Sequence, residues 1–132
     1  TVGIETNGGT NNSNPPQYNN ITITACTSAI GNYSGGFGHF RNTILYGNTA
    51  MYSYEYYNMY KSHTWTYCNT QVSKTGTGNI SVNPNWDANF KLNAGSPCVD
   101  TGNNTYVYGD YDLAGNTRII NTTVDMGCYE RQ

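Results

Sequence analysis

The chain has 132 residues, a formal net charge of −2 and only 11% charged residues. Six Lys and Arg side chains cannot form the basic face that nucleic-acid binding requires, and no apolar run approaches the ~20 residues of a membrane span. Asn, Gly and Thr are abundant and disfavour helices, and no stretch places apolar residues at helical spacing. The composition therefore predicts an all-β fold.

The N-terminal stretch, 1–19, is predicted to form a strand followed by a linker. Val2–Thr6 has the apolar and β-branched residues of an extended strand. The run NGGTNNSNPPQYN at 7–19 is of low complexity and is typical of a linker or an outer loop.

Three segments that follow repeat with a constant offset: NITITACT at 20–27, RNTILYGN at 41–48 and SHTWTYCN at 62–69. In this alignment Ile23, Ile44 and Trp65 occupy one column. A fixed period with one narrow apolar column per strand favours a β-solenoid, in which each coil buries its thin apolar face by stacking on the next. We therefore expect β-helix coils over residues 20–93.

A tyrosine-rich connection, MYSYEYYNMY at residues 51–60, lies between the second and third segments. It contains more aromatic side chains than a thin solenoid core can bury. Exposed tyrosines stack on sugar rings and anchor protein interfaces, whereas the alternative is a loop folded back along the flank. The hypothesis of a carbohydrate or partner contact rests on five side chains: Tyr52, Tyr54, Tyr56, Tyr57 and Tyr60.

The C-terminal half carries a recognisable series of motifs. They are GTGNISVNPNWDANFKLNAGSPCVDTG at 76–102, GDYDLAGNTR at 109–118 and VDMGCYE at 124–130. This series resembles the C-terminal end of secreted right-handed parallel β-helix proteins of the choice-of-anchor Q type, whose fold is like that of pectate lyases. The resemblance implies a right-handed parallel β-helix, a secreted or cell-surface location and a C-terminal cap over residues 94–132.

Charged residues in this predicted cap suggest a structural ion pair. Arg118 has Asp112 and Asp125 as evident partners, and a guanidinium group can hold carboxylates in bidentate geometry. Oxygen donors also alternate from Asp110 to Asn116, as in a calcium loop, but the twelfth position of such a loop is Asn121 instead of Glu. We therefore predict a turn stabilised by Asp side chains, with no metal and no cofactor.

Four cysteines in a chain that resembles secreted proteins imply oxidising conditions. Cys98 and Cys128 lie in the two turns of the predicted cap, and we predict that they form a disulfide. Cys26 and Cys68 share a column two coils apart, about 9.5 Å, whereas a disulfide tolerates a Cα separation of about 4.4–6.8 Å. Their pairing requires the coil at Gly47 to deform and is left open.

Two functions are compatible with these features. The first is a non-enzymatic extracellular module, structural or adhesive, that associates end to end with copies of itself into a filament or belongs to a larger surface protein, because uncovered strand edges template further strands. The alternative is a carbohydrate-binding module, or the non-catalytic end of a polysaccharide-degrading enzyme, with cell-surface glycans as partners. No catalytic constellation is recognisable in the sequence, so we do not predict an enzyme.

Overall fold

A computed structural model describes residues 1–7, 14–33, 36–54 and 63–132. Within these ranges the chain forms a 3-10 helix over Asn104–Tyr106 and nine strands. The strands are β1 (Val2–Asn7), β2 (Gln17–Asn19), β3 (Thr22–Ile23), β4 (Ser28–Tyr33), β5 (His39–Arg41), β6 (Ile44–Leu45), β7 (Ala50–Tyr54), β8 (Thr64–Thr66) and β9 (Asn69–Thr70). The all-β prediction is confirmed, and none of the described segments is a helix long and apolar enough to cross a membrane.

Every third strand belongs to the same sheet. The first sheet contains β1, β4 and β7, the second β2, β5 and β8, and the third β3, β6 and β9. All pairs are parallel, so each run of three consecutive strands forms one repeat, which pairs strand by strand with the next repeat. These short strands are stable because each one has a partner in the neighbouring repeat.

The register differs from the predicted constant offset. Thr22 pairs with Ile44, and Ile44 pairs with Asn69, so both steps are longer than predicted and the second is the longer of the two. Trp65 pairs with Phe40 in the second sheet and not with Ile44 in the third, so the predicted column of Ile23, Ile44 and Trp65 is wrong. The extra residues of each longer repeat fall in the connection between the first and second sheets, where length can vary without disturbing the pairing on either side.

The connection between the second and third sheets is, in contrast, constant in length and in geometry. It has two residues in each repeat and begins with a left-handed residue: Asn20 (φ 51°), Asn42 (φ 48°) and Tyr67 (φ 53°). Asn adopts this conformation at little cost because its short side chain bonds locally. The pattern therefore marks a tight corner that recurs once per repeat.

A column of aromatic rings lies in the second sheet. Tyr18, Phe40 and Trp65 are register partners, and their rings stack with centroid distances of 4.7 and 4.5 Å. They belong to an apolar cluster to which all three sheets contribute, for example through Ile30 of the first sheet and Leu45 of the third. This cluster is the main core.

A second apolar cluster lies on the other face of the third sheet. Ile44 packs there with Leu92, Cys98 and Met126, whereas its neighbour Leu45 faces the main core. Alternate residues of a strand point to opposite faces, so this two-residue strand contributes to both clusters.

The C-terminal segment, residues 94–132, covers this second cluster and contacts every repeat. Its path along the flank explains how it reaches as far as the first repeat and is not confined to the last. The bonds that attach it run from the Cys128 N–H to the Thr22 hydroxyl (3.2 Å), from the Gly127 N–H to the Asn42 carbonyl (2.8 Å) and from the Asn69 amide to the Cys98 sulfur (3.1 Å).

Candidate functional site

A cleft of about 400 Å³ opens where the C-terminal segment meets the first repeat. Strand β2 contributes two of its lining residues, the corner that follows contributes a third, and the C-terminal segment contributes the rest. We call this site the flank cleft, and its lining residues are Gln17, Asn19, Asn20, Tyr108 and Arg118. Its volume falls within the range of about 300–1,000 Å³ that is usual for small-molecule sites.

Two deeply buried residues that line the flank cleft carry side-chain polar atoms without a hydrogen-bond partner. Asn20 is 8% exposed and neither its amide nitrogen nor its amide oxygen has a hydrogen-bond partner. Arg118 is 6% exposed; its Nη2 donates to the Asn20 carbonyl at 3.3 Å, while its Nε and Nη1 are unpaired. The carbonyl oxygen of the Asn19 side chain is also buried and unpaired.

These atoms form a mixed set of donors and acceptors. The guanidinium group and the Asn20 amide nitrogen donate, and the Asn19 and Asn20 side-chain oxygens accept. A buried polar group left without a partner costs about 1–3 kcal/mol, so five such atoms around one cleft are an unusual concentration. A ligand that both donates and accepts hydrogen bonds would satisfy them.

The rim of the flank cleft adds an aromatic surface. Tyr108 is 73% exposed. Arg41 supports the other side of the rim: its Nη1 donates to the Gln17 side-chain oxygen, and its guanidinium lies 4.6 Å from the centre of the Tyr106 ring. The rim thus combines an exposed ring with a polar side chain whose position is fixed by a hydrogen bond from Arg41.

Three buried carboxylates, Asp112, Asp125 and Glu130, lie in the same C-terminal segment as Arg118. We call these four side chains the charged cluster. Burial lowers the pKa of Arg118, and the attraction of Glu130, Asp112 and Asp125 opposes that shift. In the part of the chain that the structure describes, no group of three His, Cys, Asp or Glu side chains is placed to hold a metal ion.

Backbone N–H groups bind the carboxylates of the charged cluster. Asp112 accepts from Ala114, Asn116 and Glu130 at 2.8–3.0 Å. Although burial raises the pKa of Asp112, these bonds outweigh it and hold that pKa below its usual value. The Asp125 carboxylate likewise accepts from the N–H groups of Asp100 and Arg131.

Glu130 is the least stabilised of the three carboxylates. It is 5% exposed, and one of its oxygens accepts the Asp125 N–H at 3.2 Å. Burial and the nearby negative charge of Asp125 raise the pKa of Glu130 to about 7. Burial also raises the pKa of Asp125. Of the three carboxylates, Glu130 is therefore the one that changes its charge close to neutral pH.

The predicted bidentate contact of Arg118 with Asp112 or Asp125 is not formed. Two of the three guanidinium nitrogens have no hydrogen-bond partner, and a bidentate pair needs two. The three residues do belong to one buried set, but the backbone binds the carboxylates and Arg118 turns toward Asn20. The attraction between them therefore acts through space.

The predicted Cys98–Cys128 disulfide is not formed, and neither is the Cys26–Cys68 pairing that the sequence left open, because all four cysteines are free thiols. Cys26 and Cys68 do not share a column: the carbonyl of Cys26 accepts the Thr49 N–H, and Cys68 is placed beside Thr43 by the bond from the Asn69 N–H to the Thr43 carbonyl. The sulfur of Cys98 accepts the Asn69 amide. The longer and unequal repeats are the physical reason why the predicted column of Cys26 and Cys68 is wrong.

Of the five tyrosines predicted to contact a carbohydrate or a partner, the described residues include the side chain of Tyr52 alone, and the contact stays a prediction. Tyr52 is half-buried; it stacks on His63 with a centroid distance of 5.9 Å, and the Lys74 ammonium lies 4.8 Å from its ring centre. Tyr54 ends strand β7, and its side chain lies outside the described residues. Tyr56, Tyr57 and Tyr60 also lie outside them.

Apart from Arg118, sequence reasoning missed the residues that line the flank cleft. Asn20 and Tyr108 lie near opposite ends of the chain, and nothing in their local sequence indicates that they meet. The only available signal was the left-handed tendency of Asn20, which predicts a tight corner but not an open cleft beside it.

Comparison with known proteins does not place the chain in a group. No family model, no curated protein and no solved structure matches it.

Proposed function

We propose that this chain is a right-handed parallel β-helix from a secreted or cell-surface protein, and that it binds saccharides in the flank cleft. The observation that carries the proposal is the set of unpaired polar atoms on Asn20 and Arg118, both more than nine-tenths buried, in a cleft with an exposed tyrosine at its rim. The parallel pairing of successive repeats supports the fold.

Saccharide hydroxyls match the chemistry of the flank cleft. A hydroxyl group both donates and accepts, as do the unpaired atoms taken together. The apolar face of a sugar ring packs on an aromatic side chain, and Tyr108 offers such a ring at the rim. The cleft therefore supplies the two kinds of contact that sugar recognition needs.

A glycan-binding experiment with paired tyrosine variants tests this function. The chain and its Tyr108→Ala and Tyr111→Ala variants are applied to an array of immobilised glycans. Both tyrosines are about equally exposed, 73% and 68%, but Tyr111 does not line the cleft. We expect Tyr108→Ala to lose at least tenfold in affinity and Tyr111→Ala to bind like the unmodified chain.

Two results would contradict the proposal. One is that no glycan is retained by the unmodified chain. The other is that both tyrosine variants lose affinity equally, which would place the contact outside the flank cleft.

A second candidate function is self-association through the first repeat. Within the described residues, β1, β2 and β3 each pair on one side only. A groove of about 330 Å³, lined by residues that include Ile4, Ile21 and Ile23, lies beside these edges. Unpaired strand edges bind further strands, so we propose end-to-end association of copies of the chain.

Sedimentation velocity over a hundredfold concentration range tests this second candidate. Association predicts a sedimentation coefficient that rises with concentration, and a Thr24→Lys variant, which puts a charge into the groove, should abolish the rise. A single monomeric species at every concentration would rule the candidate out.

A further inference from the structure

The charge balance behind the flank cleft determines which saccharides it can take. Arg118 is the one charged side chain among the lining residues, and a cation in a cleft would ordinarily favour an acidic ligand. However, the same guanidinium is attracted by Glu130, Asp112 and Asp125. When all four groups are ionised, the three carboxylates outweigh the guanidinium and the charged cluster has a net charge of −2.

We infer that the flank cleft selects neutral saccharides and discriminates against acidic ones, because the three buried carboxylates more than cancel the charge that Arg118 presents to a ligand. This inference rests on the proposed saccharide-binding function and adds the ligand class. Arg118 then acts as a donor of hydrogen bonds to hydroxyl oxygens, while an added sugar carboxylate meets the net negative charge of the charged cluster, which the single positive charge of Arg41 at the rim does not cancel.

The composition of the unpaired atoms points the same way. A carboxylate only accepts hydrogen bonds, so it could pair with Arg118 and the Asn20 amide nitrogen but not with the Asn19 and Asn20 oxygens. A pair of adjacent hydroxyl groups can satisfy both kinds. A sugar carboxylate in the cleft would therefore leave buried acceptors unpaired as well as face repulsion.

Glu130 makes this selectivity adjustable. Its carboxylate accepts the Asp125 N–H and is attracted by Arg118, while the backbone N–H of Glu130 donates to the Asp112 carboxylate. Glu130 also lines a second cleft, and two cationic side chains, Lys91 and Arg131, line that cleft with it. With its pKa of about 7, Glu130 is neutral in mildly acidic solution, and the charged cluster then has one negative charge fewer.

Matched pairs of neutral and acidic sugars test the inference. The probes are the methyl glycosides of glucose, galactose and mannose and their three uronic acid counterparts, titrated at pH 8 and pH 5.5 and followed by NMR. At pH 8 we expect at least one neutral glycoside to bind tenfold more tightly than its acidic counterpart. At pH 5.5 the difference should shrink at least threefold, because sugar carboxylates remain ionised there while Glu130 does not.

The Glu130→Gln variant provides the matched control. Gln keeps an oxygen that can accept the Asp125 N–H but has no charge. We expect its selectivity at pH 8 to equal that of the unmodified chain at pH 5.5, and to change little with pH. The pH arm needs no substitution, so the test stands even if this variant does not fold.

The possible outcomes distinguish failure of the inference from failure of the proposed saccharide-binding function. If the acidic member of a pair binds as tightly as the neutral one at pH 8, the inference is wrong and saccharide binding stands. If the preference for neutral sugars is the same at both pH values, the carboxylates are not its cause and the inference is also wrong. If no glycoside binds, the proposed function fails and the inference with it.

Discussion

The aromatic column and the charged cluster are both buried, but they are assembled from different parts of the chain. Tyr18, Phe40 and Trp65 come from three successive repeats and stack in register. The four members of the charged cluster all come from one stretch of the C-terminal segment, 112–130, and backbone N–H groups bind its carboxylates.

This difference separates two sources of stability. The aromatic column gains free energy from apolar area removed from water, which does not depend on pH. In the charged cluster, the attraction between charges and the hydrogen bonds to the carboxylates must offset the free energy of dehydrating four ionic groups. Both terms change when a carboxylate is protonated, so the net contribution to stability depends on pH. Mutations in the two regions should therefore differ in size and in pH dependence.

The largest loss is expected at the centre of the aromatic column. Phe40 is fully buried and has a ring on each side, so Phe40→Ala should lower the free energy of unfolding by about 3–5 kcal/mol. Urea unfolding measures it. Phe90→Ala, at a site 40% exposed, is the control and should cost about 1 kcal/mol or less; equal losses would contradict the assignment of the core.

Removal of the guanidinium from the charged cluster should lower the free energy of unfolding somewhat less than Phe40→Ala does. Arg118→Met keeps an unbranched side chain but leaves the carboxylates uncompensated, and we expect a loss of about 3 kcal/mol at pH 7. The loss should diminish in acid, because Glu130 and Asp125, whose pKa values are raised, are the first of the carboxylates to become neutral. Arg131→Met, at an exposed residue, should stay within about 0.5 kcal/mol. A loss for Arg118→Met that is the same at pH 4 and pH 7 would mean that its packing matters and its charge does not.

The Glu130→Gln variant should reveal the pH dependence of the cluster. Because the pKa of Glu130 is raised from 4.5 to about 7, the folded chain binds this proton more tightly, and Glu130 lowers stability as pH rises between these values. Between pH 4.5 and pH 8, the free energy of unfolding of the variant should therefore rise by about 1–3 kcal/mol relative to that of the unmodified chain. Urea unfolding at a series of pH values measures the difference; a constant difference would show that Glu130 titrates normally.

His63, beside the aromatic column, should contribute with the opposite sign. Burial, followed by repulsion from Lys74, lowers the pKa of His63 from 6.5 to about 4, so its contribution to stability rises as pH increases between these values. In the Glu130→Gln variant, where the opposing contribution of Glu130 is removed, the free energy of unfolding should increase from pH 4 to pH 6.5 by about 1–3 kcal/mol. Urea unfolding at these two pH values measures the change, and stability that falls over this range would contradict the assignment.

The smallest effect on stability is expected at Tyr108. Its ring is 73% exposed, so Tyr108→Ala should change the free energy of unfolding by no more than about 0.5 kcal/mol. Thermal unfolding measures this change alongside the affinity in the glycan array. A large destabilisation would mean that Tyr108 is a packing residue and that its effect on binding is indirect.

The sequence predicted the features that depend on composition and on recurrence. The abundance of Asn, Gly and Thr and the lack of helical spacing indicated an all-β fold, and the recurrence of similar segments indicated that its strands repeat. The spacing was wrong because the connections from the first to the second sheet differ in length among repeats, so equal offsets matched Ile44 with Trp65 and not with Asn69. The two-residue corner is constant in length, but its left-handed residues are Asn, Asn and Tyr, too varied for a motif.

The candidate site was less predictable than the fold. Asp112, Arg118 and Asp125 were recognised as a set because opposite charges occur close together in sequence. Glu130 was missed, since a lone acidic residue near a chain end is usually solvated. Asn20 lies in the first repeat and meets Arg118 only because the C-terminal segment passes along the whole flank, a path that no local pattern indicates.

That path also bears on how the chain unfolds. A stack of repeats joined only to their neighbours loses structure one repeat at a time, beginning at an end. Here one continuous segment is hydrogen-bonded to Thr22, Asn42 and Asn69, one position in each repeat. Opening the first repeat breaks the bond between Thr22 and the C-terminal segment, and opening the last repeat breaks the bond at Asn69. Because one segment is bonded to all three repeats, we expect the repeats to open as a single cooperative unit.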